Sequence, residues 1–125
     1  MAKIKLAVAG CLGRMGQEIS KQILLNKNLE FVGGFEHKNH KDINKPLNKV
    51  SGIQSSKLVT ANAAQLIKEA NVIIDFTTPK STLDNLKIAA SNKTAVVIGT
   101  TGMTDAQKKK VKSYSKKYLY SCLLT

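Results

Sequence analysis

Several features that mark particular classes of protein are scarce in this sequence. The two cysteines, Cys11 and Cys122, are too few for a disulfide framework, and they do not have the spacing of a metal site. No apolar run approaches the length of a membrane span, and the short run Leu6–Leu12 lacks the cleavage site of a secretory signal. These absences predict a cytoplasmic protein without a bound metal ion or a membrane partner.

Acidic residues are also few. Eight acidic residues against 20 lysines and arginines give a formal net charge of +12, which raises nucleic acid as a partner. A nucleic-acid interface more convincingly combines arginines with interleaved aromatic residues, but Arg14 is the only arginine. The densest basic cluster therefore favours a solvated helix face over a specific nucleic-acid site, and its members are Lys108, Lys109, Lys110, Lys112, Lys116 and Lys117.

The most informative stretch lies near the N-terminus. Apolar residues alternate with lysines in Lys3–Ala9, which predicts a buried strand. Three glycines follow at three-residue spacing, Gly10, Gly13 and Gly16, and a helix face is expected to begin with Met15, Ile19 and Ile23. A strand, a glycine turn and a helix together are the context in which glycines indicate a phosphate cradle. Such a turn lets a pyrophosphate approach the backbone, and the helix N-terminus offers free N–H groups to the anion.

The glycine pattern alone leaves two interpretations open. Leu12 stands where the usual G-x-G-x-x-G pattern has its second glycine, so the turn could merely pack a helix onto a strand. Two further features favour a dinucleotide site. A second predicted strand, Glu30–Phe35, ends at Glu36, twenty positions after Gly16, where an acidic residue would hold a ribose. Arg14 adds a positive charge beside the expected phosphates.

The remainder of the chain alternates between predicted strands and helices. The segment 36–56 is polar and has no sustained period, which predicts a loop, and a short strand is expected at Leu58–Thr60. Interior strands are predicted at Asn71–Phe76 and Thr94–Ile98, because both runs are apolar. Three helices are predicted behind the capping residues Asn62, Thr78 and Thr104. The helix after Thr78 is expected to run to about Ser91 and to bury Leu83, Leu86 and Ala90.

This alternation predicts an α/β fold with a Rossmann-like parallel sheet and helices on both faces. The length of 125 residues, with 42% hydrophobic and 22% charged residues, suits a single domain. Ligands bind such sheets at the carboxyl ends of the strands. Three loops rich in glycine and threonine are expected to converge there: Gly10–Gly16, Asp75–Thr78 and Gly99–Gly102.

Three motifs together give the sequence a family resemblance. V-A-G-C-L-G-R-M-G at 8–16, D-F-T at 75–77 with Pro79 beyond it, and V-I-G-T-T-G at 97–102 resemble the bacterial dihydrodipicolinate reductases. These enzymes, also called 4-hydroxy-tetrahydrodipicolinate reductases, act in diaminopimelate and lysine biosynthesis. The resemblance extends from Lys3 to about Tyr118. It implies a reductase whose N-terminal Rossmann domain binds NADH or NADPH.

The resemblance also implies roles for individual residues. The pyrophosphate would be lined by Gly10, Cys11, Leu12, Gly13, Arg14 and Met15. Glu36 would hold the ribose hydroxyls, and Phe76 and Thr77 would be near neighbours of the cofactor. The nicotinamide-ribose half would lie against Gly99, Thr100 and Thr101. His37 takes the position beside Glu36 where some family members have an arginine that favours a 2′-phosphate, so the choice between NADH and NADPH stays open.

Asp75 has two interpretations. A carboxylate at a strand end most often accepts hydrogen bonds from nearby backbone N–H groups, and this is the favoured reading. A direct role as an acid or base is the less favoured alternative.

Other features of the family have no counterpart in this sequence. The family continues into a second α+β domain that carries a paired-histidine catalytic motif, the substrate site and the tetramer contacts. Here the only histidines are His37 and His40, both in the predicted loop after the second strand. We therefore expect an NAD(P)-binding domain at 1–118 and the truncated start of the next strand or linker at 119–125. The missing α+β domain would hold the catalytic residues.

The expected partners follow from that division. A nicotinamide dinucleotide is expected to bind this chain, whereas the small dicarboxylate substrate and a homotetramer are expected only where a second domain is supplied. The chain alone would then hold the cofactor without turnover. The alternative is a non-catalytic NAD(P)-binding remnant, or a module that needs a partner chain.

Overall fold

Four parallel strands form the centre of the part of the protein that the structure describes. The computed structural model describes residues 3–118, with side chains through Tyr114. The strands are β1 (Ile4–Ala9), β2 (Leu29–Phe35), β3 (Val72–Asp75) and β4 (Ala95–Ile98), in the order β2-β1-β3-β4. The helices are α1 (Arg14–Leu25), α2 (Leu47–Val50), α3 (Ala63–Glu69), α4 (Pro79–Asn92) and α5 (Asp105–Tyr118). The predicted Rossmann-like α/β fold is confirmed.

Strand β1 occupies the middle of the sheet because its residues suit burial on both faces. Ala7, Val8 and Ala9 are each 0% exposed. Apolar residues without polar side chains are typical of parallel strands that helices cover on both sides. β1 pairs with β2 on one side and with β3 on the other, and all of the pairings are parallel.

Two hydrophobic clusters hold the helices against the sheet. Helices α3, α4 and α5 cover one face through Ala7, Ala9, Phe35, Leu66, Ile67, Ala70, Ile73, Leu86, Ala89, Val96, Ile98, Met103 and Val111. Helix α1 and the segment 43–59 cover the other face, through Leu6, Val8, Cys11, Ile23, Phe31, Leu47, Ile53 and Val59. The predicted placement of helices on both faces is therefore confirmed.

The segment after β2 is more ordered than its polar sequence predicted. Leu47, Ile53 and Val59 are each 0% exposed, and the one-turn helix α2 lies within this stretch. The strand predicted at Leu58–Thr60 is wrong, because Leu58 and Thr60 form only isolated bridges, to Pro46 and Phe35. The buried apolar residues that hold this segment in place do not recur at a regular spacing, so hydrophobic periodicity does not reveal them.

Four apolar residues on helix faces and at a strand edge are less buried than the sequence predicted. Met15 was expected on the buried face of α1 but is 47% exposed, since it lies at the open end of the helix. In α4 the buried residues are Thr82, Asn85, Leu86 and Ala89, so Leu83 and Ala90 are only partly buried. Strand β4 is at an edge of the described sheet, which leaves Val97 41% exposed.

All three predicted helix caps are confirmed. The side chain of Asn62 accepts a hydrogen bond from Gln65 N at 3.1 Å, and Thr78 Oγ1 accepts one from Ser81 N at 3.3 Å. Thr104 and Gln107 form a reciprocal pair, with distances of 3.1 and 2.8 Å. Such caps satisfy N–H groups that the helix leaves without partners. The strand or linker predicted at 119–125, with Cys122, lies outside the described residues.

Candidate functional site

The four strands end at one level. The register pairs Phe35 with Ala9, Ala9 with Asp75, and Asp75 with Ile98, so these residues form a row across the sheet. Hydrogen bonds continue just beyond the row, from Gly10 N to Phe35 O at 2.9 Å and from Gly99 N to Asp75 O at 2.8 Å. The residues that follow each strand therefore emerge side by side: Glu36, Gly10, Phe76 and Gly99.

The glycine turn after β1 depends on the absence of side chains. Gly10 has a φ of +76°, and a Cβ there would lie 2.7 Å from Phe76 O. A Cβ on Gly16 would collide with Gly10 O and would lie 2.8 Å from Cys11 Cα. Gly13 differs, because a Cβ there would meet only Gly10 O, at 3.5 Å. Gly10 and Gly16 are thus required by the fold, whereas Gly13 leaves open space in front of the helix.

The N-terminus of α1 faces this open space with free amides. Gly13 is the N-cap and offers no side-chain acceptor to the first turn. The first turn-closing bond runs from Gln17 N to Gly13 O at 2.9 Å, so no protein acceptor among residues 3–118 pairs with the amides of Arg14, Met15 and Gly16. Free N–H groups and the helix dipole attract an anion.

Glu36 joins the end of β2 to the glycine turn. Its Oε2 accepts a hydrogen bond from Leu12 N at 2.8 Å, which fixes the carboxylate beside the turn. An ionised carboxylate has further acceptor positions beyond the one that Leu12 uses. Glu36 is therefore placed to accept hydrogen bonds from the hydroxyls of a ribose.

Cys11 lies beneath the turn rather than on its open side. It is 0% exposed and packs against Gly34, where a Cβ would come within 2.6 Å of the Cys11 Sγ. Burial, with a smaller contribution from the Glu36 carboxylate, raises the pKa of the thiol to about 12. The side chain is thus a neutral packing group, and only its backbone lies in the turn.

A buried polar network supports the loop after β3. Asp75 is 0% exposed, and its Oδ1 accepts hydrogen bonds from Thr77 N at 2.9 Å and from Thr77 Oγ1 at 2.6 Å. Its Oδ2 accepts one from Asn85 Nδ2 at 3.0 Å. Thr100 Oγ1 lies 3.3 Å from Asp75 Oδ1 and 2.7 Å from Thr82 Oγ1, which links the loops after β3 and β4. The favoured interpretation expected backbone donors to Asp75. Thr77 N is one, and the other donors are side chains.

Two adjoining hollows lie along this edge of the sheet. One, of about 300 Å³, is lined by Gly13, Arg14, Met15, Gly16, Phe76, Thr77, Gly99, Thr100 and Thr101. The ring of Phe76 forms one wall and lies against Gly99, where a Cβ would meet Phe76 Cζ at 2.8 Å. The other, of about 260 Å³, is lined by Phe35, Glu36, His37, Lys38, Ala61, Ala63, Thr77, Ser81, Asp84, Asn85 and Ile88. Thr77 lines both hollows, so they meet at this residue, and the two together are called the groove below.

The groove brings together most of the residues that the sequence singled out. Eight of the 13 residues predicted to bind the cofactor line the first hollow, and Glu36 and His37 line the second alongside Thr77. His37 and His40 are held in a local turn, where the Nδ1 atoms accept from Asn39 N and Asp42 N at 3.2 and 3.1 Å. Sequence reasoning missed Thr82 and Asn85. Two polar residues on the helix face that also carries Leu86 and Ala89 were the available signal.

Within residues 3–118, no three His, Cys, Asp or Glu side chains are grouped so that they could hold a metal ion. In the same part of the chain, the helices lack the length and apolar character needed to cross a bilayer.

A parallel sheet with a glycine turn after β1 and an acidic residue after β2 defines the class: a Rossmann-like α/β domain of the dinucleotide-binding type.

Sequence comparison identifies the family within that class. Residues 4–124 match the family model described as "Dihydrodipicolinate reductase, N-terminus". The chain is 45% identical over 116 residues to the 4-hydroxy-tetrahydrodipicolinate reductase of Pelagibacter ubique, with 93% of this chain and 41% of that protein covered. It is 36% identical over 118 residues to the enzyme of that name from Methanocaldococcus jannaschii, with 90% and 43% covered. The chain belongs to the dihydrodipicolinate reductase family and spans less than half the length of these relatives.

Solved structures agree with this assignment. A dipicolinate-bound dihydrodipicolinate reductase from Paenisporosarcina sp. TG-14 matches with a TM-score of 0.71 and 30% identity, over 97% of this chain and 46% of that one. An aspartate semialdehyde dehydrogenase with NADP from Candida albicans matches with a TM-score of 0.70. Its identity is only 14%, so this second likeness concerns the fold alone.

Proposed function

We propose that this chain is the nicotinamide dinucleotide-binding part of a 4-hydroxy-tetrahydrodipicolinate reductase. One observation carries the proposal: the level strand ends place the glycine turn, Glu36, Phe76–Thr77 and Gly99–Thr101 side by side along one groove. The residues fit a dinucleotide, since the groove offers free amides at one point and a fixed carboxylate next to it. Membership of the reductase family supports the same reading.

The first hollow suits the pyrophosphate and the nicotinamide half of the dinucleotide, and the second suits the adenosine ribose. The amides of Arg14–Gly16 and the Arg14 side chain would bind the pyrophosphate. Glu36 would accept hydrogen bonds from the hydroxyls of the adenosine ribose, with Lys38 and His37 at the rim. The nicotinamide-ribose half would lie against Phe76 and Gly99–Thr101, and when bound it supplies a hydride to the substrate.

We infer that residues 1–125 bind the cofactor without completing the reaction. Reduction of a cyclic dicarboxylate needs cationic or hydrogen-bonding groups for the substrate and a proton donor near the hydride. The histidines of this chain are engaged in a surface turn, and the carboxylate of Asp75 is buried behind the threonines. In this reading the dicarboxylate substrate is held only when a second domain is supplied. A cofactor-binding module that works with a partner chain is the alternative.

A pair of variants at one position tests cofactor binding. Gly13→Asp introduces a good helix cap into a site with room for a Cβ, so the fold should be kept while the new carboxylate repels the pyrophosphate. Gly13→Ser is the matched neutral cap. Titration with NADH and NADPH should show binding by the unmodified chain, weaker binding by Gly13→Ser, and a loss of at least tenfold more for Gly13→Asp.

The result has clear alternatives. Equal affinities for the three proteins would place the dinucleotide elsewhere, and no binding of either cofactor to the unmodified chain would overturn the proposal. Steady-state assays with hydroxy-tetrahydrodipicolinate and NADH or NADPH test the second part. Measurable turnover by residues 1–125 would show that catalysis does not require a further domain.

A further inference from the structure

Among the described side chains, the fully buried carboxylate of Asp75 has no basic partner. Its exposure is 0%, and the ion pairs found among the described side chains join Lys21 to Glu18 and Lys45 to Asp42. A buried charge is costly unless hydrogen-bond donors surround it. Its position directly behind the groove therefore invites a functional explanation.

The groups around this carboxylate offer it hydrogen-bond donors. Thr77 N at 2.9 Å and Asn85 Nδ2 at 3.0 Å donate to it. The hydroxyls of Thr77 and Thr100, at 2.6 and 3.3 Å from Asp75 Oδ1, can donate as well. An ionised carboxylate only accepts hydrogen bonds, whereas a protonated one must also donate. The surrounding groups suit the negative form.

Only one layer of residues separates this charge from the groove. Thr77 and Thr100 line the groove, and both contact Asp75 Oδ1. Gly99, a third lining residue, donates its N–H to the Asp75 carbonyl at 2.8 Å. Charges that act through a buried network are screened far less than charges in water. A ligand atom held against Thr77 and Gly99 would experience the negative field of Asp75.

We infer that Asp75 shifts the affinity of this site toward the oxidised form of the dinucleotide. The inference rests on the proposed function, in which the nicotinamide half lies against Phe76 and Gly99–Thr101. The oxidised nicotinamide ring carries a positive charge and the reduced ring is neutral, while the rest of the molecule is the same. A fixed negative charge behind the ring stabilises only the oxidised form. Asp75 does not touch the cofactor in this account and acts through its field.

The variant Asp75→Asn removes the charge and keeps the shape. The Asn85 amide can turn so that its oxygen accepts from the new amide, and the donors on Oδ1 keep their acceptor. Calorimetric titrations with NAD⁺ and NADH should show about tenfold weaker binding of NAD⁺, a change of ~1.4 kcal/mol. The affinity for NADH should stay within about twofold, because a neutral ring gains nothing from the carboxylate.

Thr82→Val is the matched control. It removes a hydroxyl that lies 2.7 Å from Thr100 Oγ1 in the same buried network, but leaves the carboxylate in place. It should keep the ratio of the NAD⁺ and NADH affinities within about twofold. An equal loss of both affinities in Asp75→Asn, or the same change of ratio in Thr82→Val, would overturn the inference. Binding of neither form to the unmodified chain would instead refute the proposed function.

A second measurement does not depend on how well the variants fold. Benzamide adenine dinucleotide has a neutral ring of the same shape as oxidised nicotinamide, and it can be titrated against the unmodified chain. We expect it to bind about tenfold more weakly than NAD⁺. Equal affinities would contradict an electrostatic role for Asp75.

Discussion

Two loops at the same edge of the sheet are built by opposite means. The glycine turn is shaped by side chains that are absent, since a Cβ on Gly10 or Gly16 would meet backbone atoms at 2.8 Å or less. The loop after β3 is shaped by side chains that are present, because Asp75 gathers donors from Thr77, Asn85 and Thr100. Adding a side-chain atom should destabilise the glycine turn. Removing a hydrogen-bonding atom should destabilise the loop after β3.

This difference matches what each loop has to hold. A phosphate is bound by backbone N–H groups, which it can reach only where no side chain stands in front of them. The loop after β3 instead has to stay in place between β3 and β4, and a buried network with every member satisfied makes such a loop rigid. The four variants below test this contrast.

The largest effect is expected for Gly16→Ala. In the interior of a helix this change normally stabilises by up to about 1 kcal/mol, because alanine is the better helix former. Here the new Cβ would collide with Gly10 O and lie 2.8 Å from Gly10 C, so we expect a net loss of about 3 kcal/mol or more. Urea unfolding gives the value, and Gly13→Ala is the control with room for a Cβ. If Gly16→Ala is as stable as the unmodified protein, helix α1 does not approach the glycine turn as closely as described here.

Asp75→Ala should be the next most damaging change. It leaves the Asn85 amide and the Thr77 N–H without their acceptor in a buried site, at a cost of about 2–3 kcal/mol. Asp75→Asn, which keeps an acceptor, should cost less than about 1 kcal/mol. Thermal or urea unfolding of the two variants separates a packing role from a polar one. Equal losses would mean that hydrogen bonds do not hold this loop.

The glycine turn was predictable from the sequence, whereas the network in the loop after β3 was predictable only in part. Strand alternation, glycine spacing and the position of Glu36 depend on local sequence, and β1, α1 and the end of β2 lie where they were predicted. The network around Asp75 joins residues 75, 77, 82, 85 and 100. Such contacts depend on how α4 is rotated against the sheet. Thr82 and Asn85 turn inward there, which apolar periodicity does not reveal.

The segment after β2 shows the same limit. Leu47 and Ile53 are as buried as the central strand, yet they occur singly among lysines and asparagines. A pattern needs repetition to be recognised, and single anchors are recognised only when the surface that they cover is known. The composition of this segment therefore predicted a loop but missed its packing.

A change at Glu36 should alter the choice of cofactor rather than the stability. Glu36→Gln keeps a side-chain oxygen that can accept the hydrogen bond from Leu12 N, which lies 2.8 Å from Glu36 Oε2 in the unmodified chain. The substitution removes the negative charge. A 2′-phosphate next to this position would then meet less repulsion, so the affinity for NADPH relative to NADH should rise about fivefold, or ~1 kcal/mol. Glu30→Gln, on the exposed side of β2, is the control for overall charge. The same rise in both variants would exclude a local effect.

The smallest effect is expected for Met15→Ala, in the half of the site where side chains contribute least. Met15 is 47% exposed and alanine favours the helix, so the free energy of unfolding should change by no more than about 0.5 kcal/mol. Ile23→Ala, on the same helix but 3% exposed, should cost about 2–4 kcal/mol. Urea unfolding measures both. A loss above about 1 kcal/mol for Met15→Ala would mean that this side chain packs in the core. That result would weaken the contrast between the two loops.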